Sequence, residues 1–373
     1  MTDIKNRHNH PDMNRPEEAL EKLRKAYDNG NLTLYIGAGV SVESGLPTWQ
    51  NLVLAMYFSA LSRRSLNPWR LYPSYLFATA EWHLERGHEP LEITARKLWR
   101  YYEDGDDFLQ HLWETLYAGY LDAYSTRQRD VDRSAIHSSN RTLKGIAHLC
   151  RNSTYGNKGI RGVISYNYDS LLEMALGEYP FQAIYKSELL KKGKMPVYHV
   201  HGYVPLNVAE LTNHDIVFTE DQYHQSAKDP YSWANLVQIQ SLSSSTGLMI
   251  GLSLSDRNMR RLLDAVSQMP VETDNYALLK EPTWKKPDEA ELKQINEKAR
   301  SYTHHFAGGD LKTVDDSIRE NEFAWQDQIV AIIDEVRRVD VEQQTFILEQ
   351  LGIHPIWYKD HAEIPQILEA ISK

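Results

Sequence analysis

The spacing of apolar residues changes several times along the chain, and each spacing predicts a different kind of element. Short apolar runs bounded by Gly or polar residues predict strands at 32–36, 161–166, 196–200, 215–218, 246–252, 275–280 and 353–358. Apolar residues every three to four positions predict helices at 16–29, 169–177, 230–243, 256–268, 287–303, 319–349 and 361–371. Alternating strands and helices indicate the α/β class, with a Rossmann-like parallel sheet flanked by helices.

Strand signals almost vanish between residues 50 and 150. Helical spacing there predicts helices at 52–61, 75–85, 91–102, 108–124 and 135–150. We therefore expect a large helical insertion at about 50–150, after the first βα unit. Residues 1–15 are polar and proline-broken, which predicts a flexible arm before a domain at 16–373. Within that domain, a loop at 304–318 opens a helical and strand extension at about 304–373.

Small and polar residues follow four of the predicted strands directly. They are GAGVSVESGLP at 37–47, SYNYD at 165–169, HG at 201–202 and IGLS at 250–253. Because parallel α/β sheets bind ligands at the carboxyl ends of their strands, we expect one crevice there. The glycines would let the backbone approach a phosphate at a helix N-terminus. The first segment lacks the third glycine of a dinucleotide fingerprint and the Gly-Lys-Ser/Thr of a P-loop.

These four segments, in this order, resemble the signatures of the sirtuin superfamily. The forms SYNYDSLLE and GLSLSDRNMRRLL look most similar to the sirtuin-like NAD hydrolases of prokaryotic antiphage defence. The chain departs from protein-deacylating sirtuins, because it holds one cysteine, Cys150, where those enzymes carry a four-cysteine zinc module. It also has Thr-Trp-Gln at 48–50 where they have Asp-Phe-Arg. Both departures argue against a histone-type deacylase, and no metal cofactor is expected.

The resemblance implies that NAD is the substrate and that Asn167 and His201 are catalytic. An amide at 167 suits holding a water or the ribose hydroxyls, and an imidazole at 201 suits a general base. The resemblance also implies a set of residues that bind the pyrophosphate and the two sugars: Gly37, Ala38, Gly39, Ser41, Pro47, Trp49, Asp169, Gly251, Ser253 and Asp256.

Several of these residues have a purely structural alternative. Asp169 and Asp256 each precede a predicted helix, where a carboxylate often serves only as a cap. His201 could be a turn histidine packed against a neighbouring tyrosine. His199 and His201 are two apart, so on a strand they would share a face and could bind a metal. Since the main hypothesis gives His199 no role, His199→Ala is expected to be mild compared with His201→Ala.

Composition narrows the class of protein. The 373 residues are 42% hydrophobic and 25% charged, which is typical of a soluble globular protein. A net charge of −10 disfavours direct nucleic-acid binding, and no apolar run approaches the ~20 residues that cross a bilayer. A single cysteine fits a reducing compartment, so a cytoplasmic protein without a membrane anchor is expected.

The leading functional hypothesis is an NAD⁺ glycohydrolase that depletes cellular NAD⁺ as an antiphage defence effector. One alternative is a non-catalytic sensor of NAD or ADP-ribose, and another is an NAD-dependent acyl or ADP-ribosyl transferase. A metallohydrolase that uses the two histidines is the remotest. An unrestrained NAD hydrolase would kill its own cell, so control by a homo-oligomer is expected. By family analogy, the partner could be an ATPase of a defence operon.

Overall fold

The computed structural model describes residues 16–64, 75, 78–80, 82–83, 90–102, 106–124, 139–154, 157–211, 216–219, 221–222, 228–270, 274–282, 286–306 and 322–373. Two compact units are present, one of residues 1–280 with 350–373 and the other of residues 281–349. None of the helices in these ranges is long and apolar enough to cross a membrane.

A single sheet of seven strands lies in the first unit. Its strands are β1 Leu32–Ile36, β2 Ile160–Ser165, β3 Phe181–Ile184, β4 Met195–His199, β5 Thr246–Ile250, β6 Asn275–Lys280 and β7 Ile353–Tyr358. They lie in the order β3-β4-β2-β1-β5-β6-β7, and every neighbouring pair is parallel. The predicted Rossmann-like parallel sheet is confirmed.

Helices cover both faces of this sheet, which explains why its central strand is buried along its whole length. All five residues of β1 are buried, whereas a strand with one face in water would alternate. The helices of the first unit are α1 Pro16–Asp28, α2 Trp49–Arg64, α3 Leu91–Trp99, α4 Asp106–Leu116, α5 Ala118–Tyr124, α6 Arg141–Arg151, α7 Leu171–Leu176, α8 Trp233–Ser244, α9 Arg257–Ser267 and α12 Glu363–Ser372.

The second unit contains two long helices, α10 Glu289–Phe306 and α11 Glu322–Gln350. They correspond to the helices predicted at 287–303 and 319–349. The predicted loop at 304–318 is wrong at 304–306, which belong to α10, and its residues 307–318 lie outside the described residues, as does the predicted arm at 1–15. The two units divide the chain at 281 and 349, whereas the predicted extension began at about 304. That domain assignment stays a prediction.

Helices α2 to α6 fill the segment between β1 and β2, as the missing strand signals predicted. The predicted helix at 75–85 is described only at 75, 78–80 and 82–83, and these positions are helical. The predicted helix at 108–124 is two helices, α4 and α5, with a bend at Tyr117. Backbone hydrogen bonds continue through this bend, from Tyr117 N to Trp113 O and from Leu121 N to Tyr117 O.

Two strand predictions need correction. The strand at 215–218 is wrong for its described residues, because 216–218 form no ladder. Ile216 and Phe218 are buried as the pattern required, but Val217 N donates a single backbone hydrogen bond, to His201 O at 2.9 Å. The pattern also missed β3, a four-residue strand at the sheet edge that pairs only with β4. Its short, half-buried sequence resembles a loop when taken alone.

The order of the strands reverses around β1. The chain passes from β1 to β2 on one side, and β5 later takes the place on the other side. Ligands of open α/β sheets bind beyond the carboxyl ends of the strands at such a reversal. The loops that follow β1, β2, β4 and β5 therefore define the candidate site.

Candidate functional site

The loop after β1 crosses the loop after β5 at backbone contact. Gly37 N and Gly39 N donate hydrogen bonds of 3.0 Å to Ile250 O and Gly251 O. A Cβ atom at Gly37 would lie 2.5 Å from Gly251 O, and one at Gly251 would lie 2.6 Å from Val40 N. Gly251 also has a φ of 66°, in the left-handed region that favours glycine. The packing of the two loops thus explains all three glycines, and the predicted pyrophosphate contacts stay a prediction.

A hydrogen-bonded relay joins the β1 loop to the end of β2. Leu171 N donates to Asp169 Oδ1 at 3.0 Å, and Ser41 Oγ donates to Asp169 Oδ2 at 2.8 Å. Asn167 Nδ2 donates in turn to Ser41 Oγ at 3.2 Å and to Gly37 O at 3.0 Å. Burial raises the pKa of Asp169, and the hydrogen bonds from Ser41 and Leu171 partly offset that rise. Asp169 therefore supports the start of α7 and also orients Ser41 and Asn167.

The side-chain oxygen of Asn167 is the one polar group of this relay left open. Asn167 is only 7% exposed, and its Oδ1 has no hydrogen-bond partner among the residues that the structure describes. Its Nδ2 is held by two acceptors, which fixes the orientation of the amide. A buried acceptor without a partner costs roughly 1–3 kcal/mol, so it suits a ligand group that can donate.

A second chain of hydrogen bonds runs from the main-chain oxygen of Asn167 through His199 to Glu173. Its Nδ1 lies 3.1 Å from Asn167 O and its Nε2 lies 2.7 Å from Glu173 Oε1. A carbonyl oxygen only accepts, so Nδ1 carries the hydrogen. Burial alone would lower the pKa of His199, but the charge and hydrogen bond of Glu173 raise it above its usual value. Both side chains are buried, and together they anchor the backbone of Asn167.

His201 lies just beyond the end of β4, where β4 runs beside β2. Ser165 pairs with His199 in register, so Asn167 and His201 each lie two residues past a paired position. Because β4 ends at His199, the same-face argument for a pair of metal ligands does not hold for these two histidines. No group of three or more His, Cys, Asp or Glu in the described ranges is arranged to hold a metal ion.

The side chain of His201 is 9% exposed, and Tyr166 and Asp256 lie close to it. The Tyr166 ring meets it edge-on at 5.1 Å between centroids, and Asp256 Oδ2 lies 3.7 Å from Nε2. Burial lowers the pKa of His201, and the Asp256 carboxylate partly opposes that effect. A lowered pKa keeps the imidazole neutral near pH 7, which is the form that accepts a proton.

Asp256 caps a helix with one carboxylate oxygen and approaches His201 with the other, while its predicted role in binding NAD stays a prediction. Its Oδ1 accepts from Met259 N at 2.7 Å, so it is the N-cap of α9. Its other oxygen lies near His201, a proximity that sequence reasoning missed because it had placed Asp256 among the residues that bind the pyrophosphate and the sugars. Nearby Leu254 is buried with a φ of 55°, a strained conformation for a residue with a side chain.

Four other predicted binding residues lie on the loops and helix starts around the site. Pro47 is buried, and Trp49 begins α2 and packs partly buried against the hydrophobic core. Ser253 is exposed, and its Oγ lies 2.6 Å from Ser255 Oγ. Ala38 begins a short 3-10 turn, Ala38–Val40. The binding roles of these residues stay predictions.

The helical segment contributes residues that sequence reasoning did not select. Asn140 is fully buried, and its Nδ2 donates to Val40 O at 2.7 Å and to Ser44 Oγ at 2.9 Å. Tyr117 donates its hydroxyl to Val204 O at 2.6 Å, in the loop after His201. The sequence Asn-Arg-Thr-Leu at 140–143 is a recognisable helix start, and Asn140 Oδ1 accepts a hydrogen bond from Leu143 N as an N-cap does. Local spacing does not reveal the contacts of Asn140 with the β1 loop, which lies about 100 residues earlier in the chain.

Comparison with known families bears on this part of the chain. Residues 161–302, which include β2, β4, β5 and the site residues after them, match the family model described as the SIR2-like domain. Residues 161–302 are SIR2-like. The resemblance to the sirtuin superfamily is thereby confirmed over this segment, which carries Asn167, His201 and Asp256.

Wider comparisons add little to this result. No curated protein sequence matches the chain. One solved structure, described as "Structural Basis for the Mechanism and Regulation of Sir2 Enzymes", matches at 17% identity over 72% of this chain and 87% of its own, with a TM-score of 0.34. The parallel sheet and its strand order establish the fold independently of that match.

Proposed function

We propose that this protein is an NAD⁺ glycohydrolase that cleaves NAD⁺ to nicotinamide and ADP-ribose. The observation that carries the proposal is the open, buried Oδ1 of Asn167 beside a strand whose end bears a histidine with a lowered pKa. The SIR2-like match of residues 161–302 supports an NAD-related function for the same segment. These groups suit NAD⁺ because Asn167 can accept a hydrogen bond from a ribose hydroxyl and His201 can accept a proton.

The chemistry needs few protein groups, because nicotinamide leaves as a neutral molecule from an oxocarbenium-like transition state. Asn167 Oδ1 would accept a hydrogen bond from the attacking water or from a ribose hydroxyl. As the bond from water oxygen to C1′ forms and the bond from C1′ to nicotinamide breaks, His201 would take the proton from water. Asp256 would stabilise the imidazolium that results, and a buried site would exclude other nucleophiles.

The cysteine content favours hydrolysis over deacylation. The chain has one cysteine, and Cys150 is fully buried in α6. Burial raises the pKa of its thiol to about 12, so it is a structural residue and not a metal-binding thiolate. A four-cysteine zinc module cannot be built from this chain.

The cellular part of the proposal follows from the chemistry. Depletion of NAD⁺ would make this protein a toxic effector of antiphage defence, acting in the cytoplasm. Such an enzyme requires restraint, which we propose comes from a homo-oligomer or from a partner ATPase of the same defence operon.

The test is a product analysis of purified protein incubated with NAD⁺, with and without an acylated peptide. We expect nicotinamide and ADP-ribose in equal amounts and no dependence on the peptide. Binding of NAD⁺ without products would favour the sensor, and an acyl-ADP-ribose or an ADP-ribosylated protein would favour the transferase. Size-exclusion with light scattering, followed by turnover at several protein concentrations, reports whether assembly is required.

A further inference from the structure

We propose that His199 and Glu173 are a positioning pair that holds Asn167 in its reactive orientation. This inference rests on the proposed function. His199 Nδ1 lies 3.1 Å from Asn167 O, and His199 Nε2 lies 2.7 Å from Glu173 Oε1. Neither side chain forms a hydrogen bond with Asn167 Oδ1, so we infer that the pair acts on the reaction through the position of Asn167.

Asn167 is restrained at every polar atom except one. Its N–H donates to Ser165 Oγ at 3.2 Å, its carbonyl accepts from His199, and its Nδ2 donates to Gly37 O and Ser41 Oγ. The remaining atom is Oδ1, which has no partner in the described part of the chain. Asn167 O also accepts a longer hydrogen bond, of 3.4 Å, from Ser165 Oγ, so the 3.1 Å contact of His199 is the shorter of the two that hold this peptide plane, and its loss loosens the backbone that carries the amide.

Two carboxylates on one short segment support Asn167 from opposite sides. Asp169 acts through Ser41 on the side chain, and Glu173 acts through His199 on the backbone. Glu173 lies in the first turn of α7, four residues after Asp169, and is only 7% exposed. Burying a carboxyl group is costly without a hydrogen bond, and Glu173 Oε1 makes one with His199 Nε2, a contact that an apolar residue at 173 could not provide.

The position of His199 changes the expectation for its substitution. Sequence reasoning gave His199→Ala a mild effect, whereas the structure gives this side chain two buried hydrogen bonds, one of them to the catalytic amide's own backbone. Displacing a reacting group by about 1 Å can cost on the order of 100-fold in rate. We therefore expect loss of His199 Nδ1 to lower kcat while leaving substrate binding nearly unchanged.

The test distinguishes the contribution of His199 Nδ1 from that of His199 Nε2. It is made in the Glu173→Gln variant, which has no carboxylate at this position. Glu173→Gln can donate to a neutral His199 that keeps its Nδ1 hydrogen, so we expect kcat within about threefold of the wild type. In that background, His199→Asn keeps a donor where Nδ1 stands, and His199→Gln keeps one only where Nε2 stands. We expect the Asn variant to stay within about tenfold and the Gln variant to lose about 100-fold in kcat, with KM changed less than threefold.

A second readout does not depend on activity. In protein labelled with ¹⁵N-asparagine, the side-chain resonance of Asn167 is assigned by its loss in Asn167→Asp. We expect a sharp, slowly exchanging signal in the wild type and the His199→Asn variant, and a broadened or shifted one in His199→Gln. Equal kcat values and equal resonances in the two variants would overturn the inference. A wild type that does not hydrolyse NAD⁺ would overturn the proposed function, and the resonances alone would then decide the positioning role.

Discussion

Replacing Asp256 by Asn removes a charge from the vicinity of His201 and keeps the helix cap. Asn and Asp are equivalent N-caps, so the bond that Asp256 Oδ1 accepts from Met259 N persists in the variant. The other oxygen of Asp256 stands 3.7 Å from His201 Nε2, and the Asp256 side chain is 19% exposed. The substitution therefore tests the electrostatic role of Asp256 separately from its structural one.

The size of the effect follows from the distance and the burial. Two unit charges about 4 Å apart interact by ~4 kcal/mol at an effective dielectric constant of ~20 and by ~1 kcal/mol in bulk water. A partly exposed pair lies between these limits, at about 1.5–3 kcal/mol, which is about one to two pKa units. The Asp256 carboxylate favours the charged imidazole, so removing it lowers the pKa of His201 further.

The sign of the pH dependence follows from which form is active. Under the proposed function the neutral imidazole is the base, so activity is expected above the pKa of His201 and should be lost as pH falls through it. In Asp256→Asn the acid limb of the kcat profile should move down by about one to two pH units. At the plateau kcat should fall about tenfold, because the imidazolium formed in the reaction loses its counter-charge.

The assay is steady-state release of nicotinamide between pH 4.5 and 9, with the thermal midpoint as a control. Asp256→Ala is the matched comparison, because it removes the charge and also the cap, which costs about 1 kcal/mol of stability. An acid limb that stays in place or moves to higher pH in Asp256→Asn would refute the action of Asp256 on His201. So would a fall in kcat that appears only when the cap is lost.

The remaining predictions concern catalysis, folding and metal. Asn167→Ala and His201→Ala should each lower turnover by about two to four orders of magnitude with the thermal midpoint little changed, and near-normal turnover in either would remove its assigned role. Gly251→Ala should destabilise the fold by about 3 kcal/mol or more in denaturant unfolding, because its Cβ would collide with the β1 loop. Gly193→Ala is the control: its φ is 76°, but no atom lies within 4 Å of the added Cβ, so it should cost only about 1–2 kcal/mol. Equal costs would refute the close packing of the β1 and β5 loops as the reason for Gly251. Prolonged EDTA treatment should leave turnover unchanged, and a loss restored by zinc would revive the metallohydrolase.

The sequence predicts the sheet and the location of its site because both depend on local patterns. An apolar run such as that of β1 is buried on both faces and ends at glycines, so the strand and its turn are visible without the rest of the chain. The strand register then brings Ser165 beside His199, so Asn167 and His201 each lie two residues past a paired position. What local patterns miss is β3, whose only ladder is with β4.

The roles of individual residues are harder to predict, because they depend on contacts between distant segments. The glycines after β1 looked like a phosphate cradle, but a side chain at Gly37 or Gly39 would first meet Gly251. Asp256 is recognisable as a cap from its position before α9, but its approach to His201 depends on how the β4 and β5 loops meet. An aspartate at this position would look the same in the sequence whether or not it also approached a histidine, so only the fold reveals the second contact.

The four sequence motifs therefore divide into a frame and a reactive part. The N–H groups of Gly37 and Gly39 and the side chain of Ser41 are committed to other protein atoms, so these residues hold the loops together. Under the proposed function, the reactive part is Asn167 Oδ1 and the imidazole of His201, and the phosphate contacts of the glycine loop stay a prediction. Substitutions in the frame should lower stability and activity together, because they disturb the geometry of the site. Substitutions in the reactive part should abolish activity in a protein that still folds, and this difference makes the division testable residue by residue.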